Sequence, residues 1–130
     1  ENVIDLEELP ESEMALFYGA AAVLLVPSKY EGFGLPALEA MAAGCPVIAA
    51  DATALPEVVG NAAMRLSPND SNSWKDATQR LLRDEVLRRE LIELGRERAA
   101  RFTWDTCSRH TAGAYRRALN TSRTTQHQTQ

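Results

Sequence analysis

Hydrophobic positions in the first half of the chain follow two patterns in turn. Residues 11–21 carry apolar side chains at helical spacing, and Ser12 is a candidate N-cap for the helix that this spacing predicts. Apolar runs at 22–26 and 46–50, and a third at 62–66 that Arg65 interrupts, are typical instead of strands that are buried on both faces of a parallel sheet. The same half of the chain therefore predicts both helices and parallel strands.

A second helix is predicted between the first two of these strands. Residues 35–43 contain Glu39 as their one charged side chain, and Gly44 follows where a left-handed residue commonly ends a helix. A strand, a helix and a strand joined by short loops form the βαβ unit. We therefore expect an α/β fold with a doubly wound parallel sheet, and we interpret residues 3–6 as the remnant of an earlier strand.

The second half of the chain predicts helices. One begins among residues 70–73, a second begins near Asp84, and Thr103 is the candidate N-cap of a third. From residue 120 the sequence is rich in Thr, Ser and Gln, which predicts a disordered polar tail over 120–130. The expected organisation is one domain over residues 1–119, followed by that tail.

Composition and charge narrow the class of protein. With 130 residues, of which 45% are hydrophobic and 25% charged, the chain can build one modest core. The net charge of −4 repels phosphate backbones, so no nucleic-acid partner is expected and an anionic ligand needs a local binding device. Cys45 and Cys107 are isolated thiols, which favours a reducing, cytoplasmic location. The longest apolar run, Ala20 to Pro27, is too short to cross a bilayer.

The candidate chemistry lies in the loop that joins the first predicted strand to the second helix. This loop leaves the carboxyl end of a parallel strand, which is where open α/β sheets bind ligands. Gly32 and Gly34 allow the backbone to approach a ligand closely, and Pro36 suits the first turn of the helix. The N–H groups near Gly34 and Leu35, together with the positive end of the helix dipole, predict a site for a phosphate or a diphosphate.

Two carboxylates flank this phosphate-binding loop. Glu31 precedes the glycines, and Glu39 lies about one turn into the helix, whose side chains lean back toward its N-terminus. A carboxylate can accept hydrogen bonds from two adjacent sugar hydroxyls, and a diphosphate with a hydroxylated ring at each end is a nucleotide-sugar. The alternative is that both carboxylates are solvated, and that Glu39 merely favours the first turn of its helix.

The sequence around these carboxylates resembles a known signature. Glu31 and Glu39, separated by seven residues within EGFGLPALEAMAAGCPVIAAD, are similar to the E-x7-E motif of the retaining GT-B glycosyltransferases of family 4 (group 1). Three further segments also resemble parts of that family. Ala20–Ser28 is similar to the strand before the motif, Leu55–Gly60 resembles the next loop, and Phe102–Trp104 resembles the start of the last helix. The resemblance implies a Rossmann-like, donor-binding C-terminal domain that is incomplete on its N-terminal side.

The resemblance also implies a role for each residue of the motif. Glu31 would be the catalytic residue that binds hydroxyls of the transferred hexose, and Glu39 would bind the ribose hydroxyls. For Glu57 we favour a role in fixing its loop or capping a helix over contact with a ligand. Backbone groups of four consecutive residues would hold the diphosphate and the sugar: Gly32, Phe33, Gly34 and Leu35. The family carries an Arg and a Lys, and an acceptor-binding N-terminal domain, on segments that precede this one. We therefore expect this chain to be inactive by itself.

The expected reaction is retaining transfer of a hexose from a GDP- or UDP-linked donor to a saccharide or lipid-linked acceptor. Thr53 and Ala54 stand where the family often has two glycines, a departure that resembles mannosyltransferases of surface-polysaccharide synthesis and favours mannose over glucose. The sequence has no DxD motif, so we expect no metal and no cofactor. In the family, attack on the same face of the sugar is assisted by a donor phosphate oxygen, and the protein stabilises charge on the leaving diphosphate.

Two other classes of function stay open on the residues alone. A glycoside hydrolase also uses paired carboxylates, although a phosphate-binding loop argues against it. A non-catalytic nucleotide-binding or interaction module is the other alternative. Asp51, at the end of a predicted strand, is a weaker ligand candidate. The Arg-rich face from Arg80 to Arg101 is interpreted as solvated, with peripheral contact to an anionic membrane as its alternative.

Overall fold

Three short parallel strands form the sheet on which the candidate site is built. In the computed structural model, β1 (Leu24–Val26), β2 (Val47–Ala50) and β3 (Met64–Leu66) are hydrogen-bonded in that spatial order. All four residues of β2 are buried, as expected for the central strand of a parallel sheet with both faces covered. The predicted α/β fold with a parallel sheet is confirmed, and each strand is somewhat shorter than its apolar run.

The structure describes residues 3–6 and 8–126, with side chains described through residue 120. Over these residues it has six helices: α1 (Glu11–Ala20), α2 (Leu35–Ala43), α3 (Leu55–Val59), α4 (Ser71–Arg83), α5 (Glu85–Ala99) and α6 (Trp104–Gln126). The chain divides between Ala100 and Arg101 into two units. The sheet and helices α1 to α5 belong to the first unit, and α6 belongs to the second.

The side chains of β2 are divided between the two apolar clusters of the first unit, with Val47, Ala49 and Ala50 in one and Ile48 in the other. Val47 and Ala49 belong to a cluster that also includes residues of α1, α2 and α3. Ile48 belongs to the other cluster, with buried side chains of α4 and α5. Because successive side chains of a strand point to opposite faces, one strand joins the two halves of the core.

Side-chain caps fix the starts of three helices. The Asp70 carboxylate accepts from the Ser73 N–H at 3.1 Å, and the Asp84 carboxylate accepts from the Leu87 N–H at 2.9 Å. The Thr103 hydroxyl accepts from the Thr106 N–H at 3.1 Å. These caps satisfy N–H groups that have no partner within the helix, and they confirm the predicted helix starts.

Four sequence-based expectations differ from the structure. Ser12 does not cap α1, because that helix begins directly after Pro10 and has no side-chain cap. Residues 3–6 do not form a strand. The segment Leu55–Val59, which we expected to be a loop, is the short helix α3, with a proline in its first turn as helices tolerate.

No described helix has the length and apolar character needed to cross a bilayer.

The C-terminal segment is the fourth difference. Helix α6 continues through Gln126, so the disordered tail expected over 120–130 does not describe residues 120–126, and 127–130 lie outside the described residues. The expected organisation as one domain over residues 1–119 stays a prediction. The described side chains of α6 include no buried residue, so its helical backbone is not accompanied by core packing.

Substitution of Gly34 tests the backbone conformation and the packing at the start of α2. Its φ of 104° lies in the region that favours glycine, and an added Cβ would lie 2.7 Å from Cδ2 of Leu55. We expect Gly34→Ala to lower the free energy of unfolding by about 2 kcal/mol, because the alanine adds both strain and overpacking. Gly32→Ala is the matched control, since a Cβ at Gly32 meets no atom within 4 Å. Urea unfolding measures both variants, and equal losses would contradict this account.

Candidate functional site

The loop between β1 and α2 carries the predicted phosphate site. Gly34 is the N-cap of α2, with φ 104° and ψ 43°, and Pro36 stands in the first helical turn. The Ala37 N–H donates to the Gly34 carbonyl at 3.1 Å, which closes that turn. Phe33 and Leu35 are partly exposed on either side of Gly34. The chain thus presents a helix N-terminus at the carboxyl edge of the sheet, where the dipole favours an anion.

Glu31 is tied to the loop that follows β2. Its backbone N–H donates to the hydroxyl of Thr53 at 3.0 Å, across 22 residues of sequence. Three residues further on, Gly34 packs against Leu55, which is fully buried. The segment from Glu31 to Gly34 is therefore held near both its ends by the short segment from Thr53 to Leu55. Sequence patterns did not reveal this contact, because the two segments are distant in the chain.

Glu39 has a neighbour that the sequence analysis did not identify. The Tyr18 hydroxyl of α1 donates to the Glu39 carboxylate at 3.4 Å, a long distance for a bond of this type. Tyr18 is 6% exposed. Burial, then the negative charge of Glu39 and the hydrogen bond to it, raise the pKa of Tyr18. A tyrosine within the apolar stripe of residues 11–21 was the available signal, since a buried phenol usually needs a polar partner.

Asp51 has a cationic partner. Its carboxylate lies 3.7 Å from the guanidinium of Arg65, and both side chains are about half exposed. Asp51 directly follows β2, whereas Arg65 is the central residue of β3. The pair stands at the carboxyl edge of the sheet, but an exposed ion pair at this distance stabilises little. Arg65 was missed because it interrupts an otherwise apolar run.

Glu57 contributes through its backbone. Its side chain is exposed, and no side chain caps the start of α3. Arg98 of α5 donates to the carbonyl of Val58 at 2.8 Å and also to the carbonyl of Glu57. These bonds satisfy carbonyl groups in the last turn of α3. Glu57 lies in the first turn of α3, so its expected role in capping that helix or fixing its loop stays a prediction, and Arg98 binds carbonyl groups at the other end of the helix.

The structure keeps all six predicted site residues on one continuous segment: Glu31, Gly32, Phe33, Gly34, Leu35 and Glu39. The two glutamates are held by different bonds. The Thr53 hydroxyl binds the backbone N–H of Glu31, and the Tyr18 hydroxyl binds the side-chain carboxylate of Glu39. Among the described residues, no group of three or more His, Cys, Asp or Glu side chains is arranged to hold a metal ion. The roles of the six residues stay predictions.

Known proteins are similar to this chain in sequence and in fold. Residues 1–98 match the profile of the family described as glycosyl transferases group 1. O-antigen chain mannosyltransferase B of Escherichia coli is 39% identical over 108 residues, which are 83% of this chain and 28% of that protein. MMP alpha-(1->4)-mannosyltransferase of Mycolicibacterium hassiacum is 40% identical over 115 residues, 85% of this chain and 28% of that protein.

A solved structure extends the likeness to three dimensions. Sucrose-phosphate synthase from Thermosynechococcus elongatus matches with a TM-score of 0.78 at 35% identity, over 89% of this chain and 30% of that chain. The likeness confirms the expected Rossmann-like α/β fold. This chain spans less than a third of the length of each of these three proteins.

The environment of Tyr18 predicts a pH-dependent contribution to stability. Folding raises the pKa of Tyr18 above its ordinary value of 10. The contribution of Tyr18 to stability is therefore fully present below pH 10, and it is lost as the pH rises through the raised pKa. We expect Tyr18→Phe to lower the free energy of unfolding at neutral pH by about 1 kcal/mol. This difference should shrink above pH 10, where the unfolded tyrosine ionises first.

Urea unfolding of both chains at neutral and alkaline pH tests this expectation. Tyr30→Phe removes a hydroxyl from a side chain that is 82% exposed, and it serves as the matched control. A Tyr18→Phe difference that stays constant across the alkaline range would contradict the assigned environment.

Proposed function

This chain belongs to the glycosyl transferases group 1 family, and we propose that it forms the donor-binding part of a retaining hexosyltransferase. The observation that carries the proposal is the start of α2. There, a left-handed glycine opens a helix at the carboxyl edge of a parallel sheet, and a glutamate stands on either side of it. A helix N-terminus suits a diphosphate, and flanking carboxylates suit the hydroxyls of the rings attached to it.

The charges of the site favour binding of an uncharged sugar at the two carboxylates and binding of an anion at the start of α2. The chain has a net charge of −4, so binding of a diphosphate depends on the local field at the start of α2. Gly32 leaves open space above the loop, which gives a ligand access to the backbone. In this proposal the backbone from Gly32 to Leu35 holds the diphosphate and the sugar. Glu31 orients the hexose, and Glu39 binds the ribose.

The proposed donor sugar is mannose, carried by GDP in preference to UDP. Two of the relatives described above are mannosyltransferases by name. Thr53 and Ala54 replace the glycine pair that the family often has before its Leu-Pro-Glu sequence, and this departure also favours mannose. The proposed acceptor is a saccharide or a lipid-linked saccharide.

The acceptor site belongs, in this proposal, to parts of the protein outside this chain. The chain spans 28% of the length of the two named relatives, which leaves most of such an enzyme to other segments. An N-terminal domain of the same protein would supply the acceptor surface and the cations that neutralise the leaving diphosphate. The two free thiols, Cys45 and Cys107, favour action in the reducing cytoplasm, with peripheral membrane contact where the acceptor is a lipid.

The proposed mechanism uses this chain to bind and orient the donor. Departure of the nucleoside diphosphate places negative charge at the start of α2, which the helix dipole and the first-turn N–H groups stabilise. Glu31 holds the hexose hydroxyls so that the anomeric carbon faces the acceptor. Retention follows from attack on the face that the diphosphate leaves, with a phosphate oxygen taking the acceptor proton. No protein nucleophile is required in this scheme.

Nucleotide binding is the direct test of the proposal. We expect GDP, and more weakly UDP, to shift the amide signals of Gly32 to Leu35 in NMR titrations of the isotope-labelled chain, because those groups face the diphosphate. The amides of α4 and α5 serve as the internal control. Shifts confined to the segment after Ser71 would contradict the proposed donor site.

The role of Glu39 is tested with matched nucleotides. In the full-length protein, Glu39→Gln should weaken binding of the ribonucleotide by about 1–3 kcal/mol, because hydrogen bonds to a charged group are lost. Binding of the deoxyribonucleotide should weaken much less, because this nucleotide lacks a ribose hydroxyl that would donate a hydrogen bond to the carboxylate. Glu93→Gln, at an exposed position of α5, is the control. Calorimetry measures each affinity, and equal losses for both nucleotides would rule out the ribose role.

A further inference from the structure

Thr53 adopts a backbone conformation that its side chain does not favour. Its φ is 48°, and among the residues that the structure describes it is the one non-glycine residue with a positive φ. Threonine is branched at Cβ, and a positive φ is an outlier for such residues. A residue in this state persists only when its surroundings enforce the conformation, and such residues cluster at functional sites.

The hydrogen bond to the Thr53 hydroxyl does not explain the strain through stability. The hydroxyl accepts from the Glu31 N–H at 3.0 Å, and this bond is exposed to solvent. Water could satisfy the same N–H, so the bond adds little to the free energy of folding. A glycine would adopt the same φ without strain. The fold alone therefore gives no advantage to threonine at this position.

The contact does control where Glu31 lies. Leu55, two residues after Thr53, is fully buried and packs against Gly34, so the segment from Thr53 to Leu55 is anchored in the core. Through its bond to the Glu31 N–H, the Thr53 hydroxyl attaches the opposite end of the Glu31–Gly34 segment to the same anchored residues. Without the hydroxyl, the Glu31 backbone loses its bond to this anchored segment, and the open space around the Cβ position of Gly32 leaves room for Glu31 to move.

We propose that Thr53 is a positioning residue for the sugar subsite, and that its hydroxyl fixes the Glu31 backbone so that the Glu31 carboxylate meets the donor hexose. The strained loop after β2 is then retained for donor-sugar binding and not for stability. This inference rests on the proposed function, because it assigns the sugar end of the same donor site. It predicts a selective effect, on the sugar and not on the nucleotide.

Three substitutions in the full-length protein separate the hydroxyl from the strain. Thr53→Val keeps the branched shape and removes the hydroxyl, Thr53→Gly removes both, and Thr53→Ser keeps the hydroxyl. We expect the valine and glycine variants to lose about tenfold in kcat/KM for the nucleotide-sugar, because a misplaced group loses transition-state contacts. The serine variant should stay within about threefold of the wild type. Affinity for the free nucleoside diphosphate should be unchanged in all three.

Two further measurements make the result specific. The Glu31 amide should exchange with solvent faster in the valine and glycine variants, and the Tm of Thr53→Gly should be no lower than that of the wild type. Thr78→Val is the control, because the Thr78 hydroxyl bonds within α4 to the carbonyl of Trp74. Transfer by Thr53→Gly at the wild-type rate would overturn the inference, and so would a serine variant as impaired as the valine variant. Absence of nucleotide binding by the wild-type protein would instead contradict the proposed function itself.

Discussion

The contact between Gly34 and Leu55 is the constraint on which the candidate site depends. A left-handed glycine turns the chain from the loop into α2, and a fully buried leucine from α3 occupies the space that a side chain would need. Because Leu55 belongs to the main apolar cluster, the start of α2 is positioned by the core and not by the loop. A binding site on rigid elements keeps its geometry without reorganisation, which is what stabilising a transition-state charge requires.

More distant parts of the first unit support this contact. Arg98 of α5 holds the last turn of α3 through two carbonyl groups, and α3 in turn supplies Leu55. Gly95 of the same helix lies against Met41 of α2, where a Cβ would be 3.2 Å from the Met41 side chain. Helix α5 thus braces both helices beside the candidate site, although none of its residues belongs to the predicted donor-binding set. Changes in α5 are therefore expected to reach the site through packing.

The two carboxylates of the motif are supported in different ways. Glu31 is fixed through its backbone by a hydroxyl on a strained residue, and its side chain takes no part in that bond. Glu39 meets a buried phenol through its carboxylate, and this contact also raises the pKa of Tyr18. Both supports come from residues outside the loop, one on α1 and one between β2 and α3. The loop and α2 supply the predicted binding groups, and neighbouring elements hold them in position.

Local patterns determined most of the elements and the predicted site segment, because helix spacing, apolar strands, N-caps and a glycine at a helix start act over a few residues. The start of α2, its end at Gly44 and the caps at Asp70, Asp84 and Thr103 were all predictable for this reason. The sequence also predicted the parallel sheet and the segment from Glu31 to Glu39. Only the tertiary structure revealed the contacts of Thr53, Tyr18 and Arg98, since each joins segments that are 21 to 41 residues apart. Such contacts depend on how the elements pack, and packing leaves no periodic pattern in the sequence.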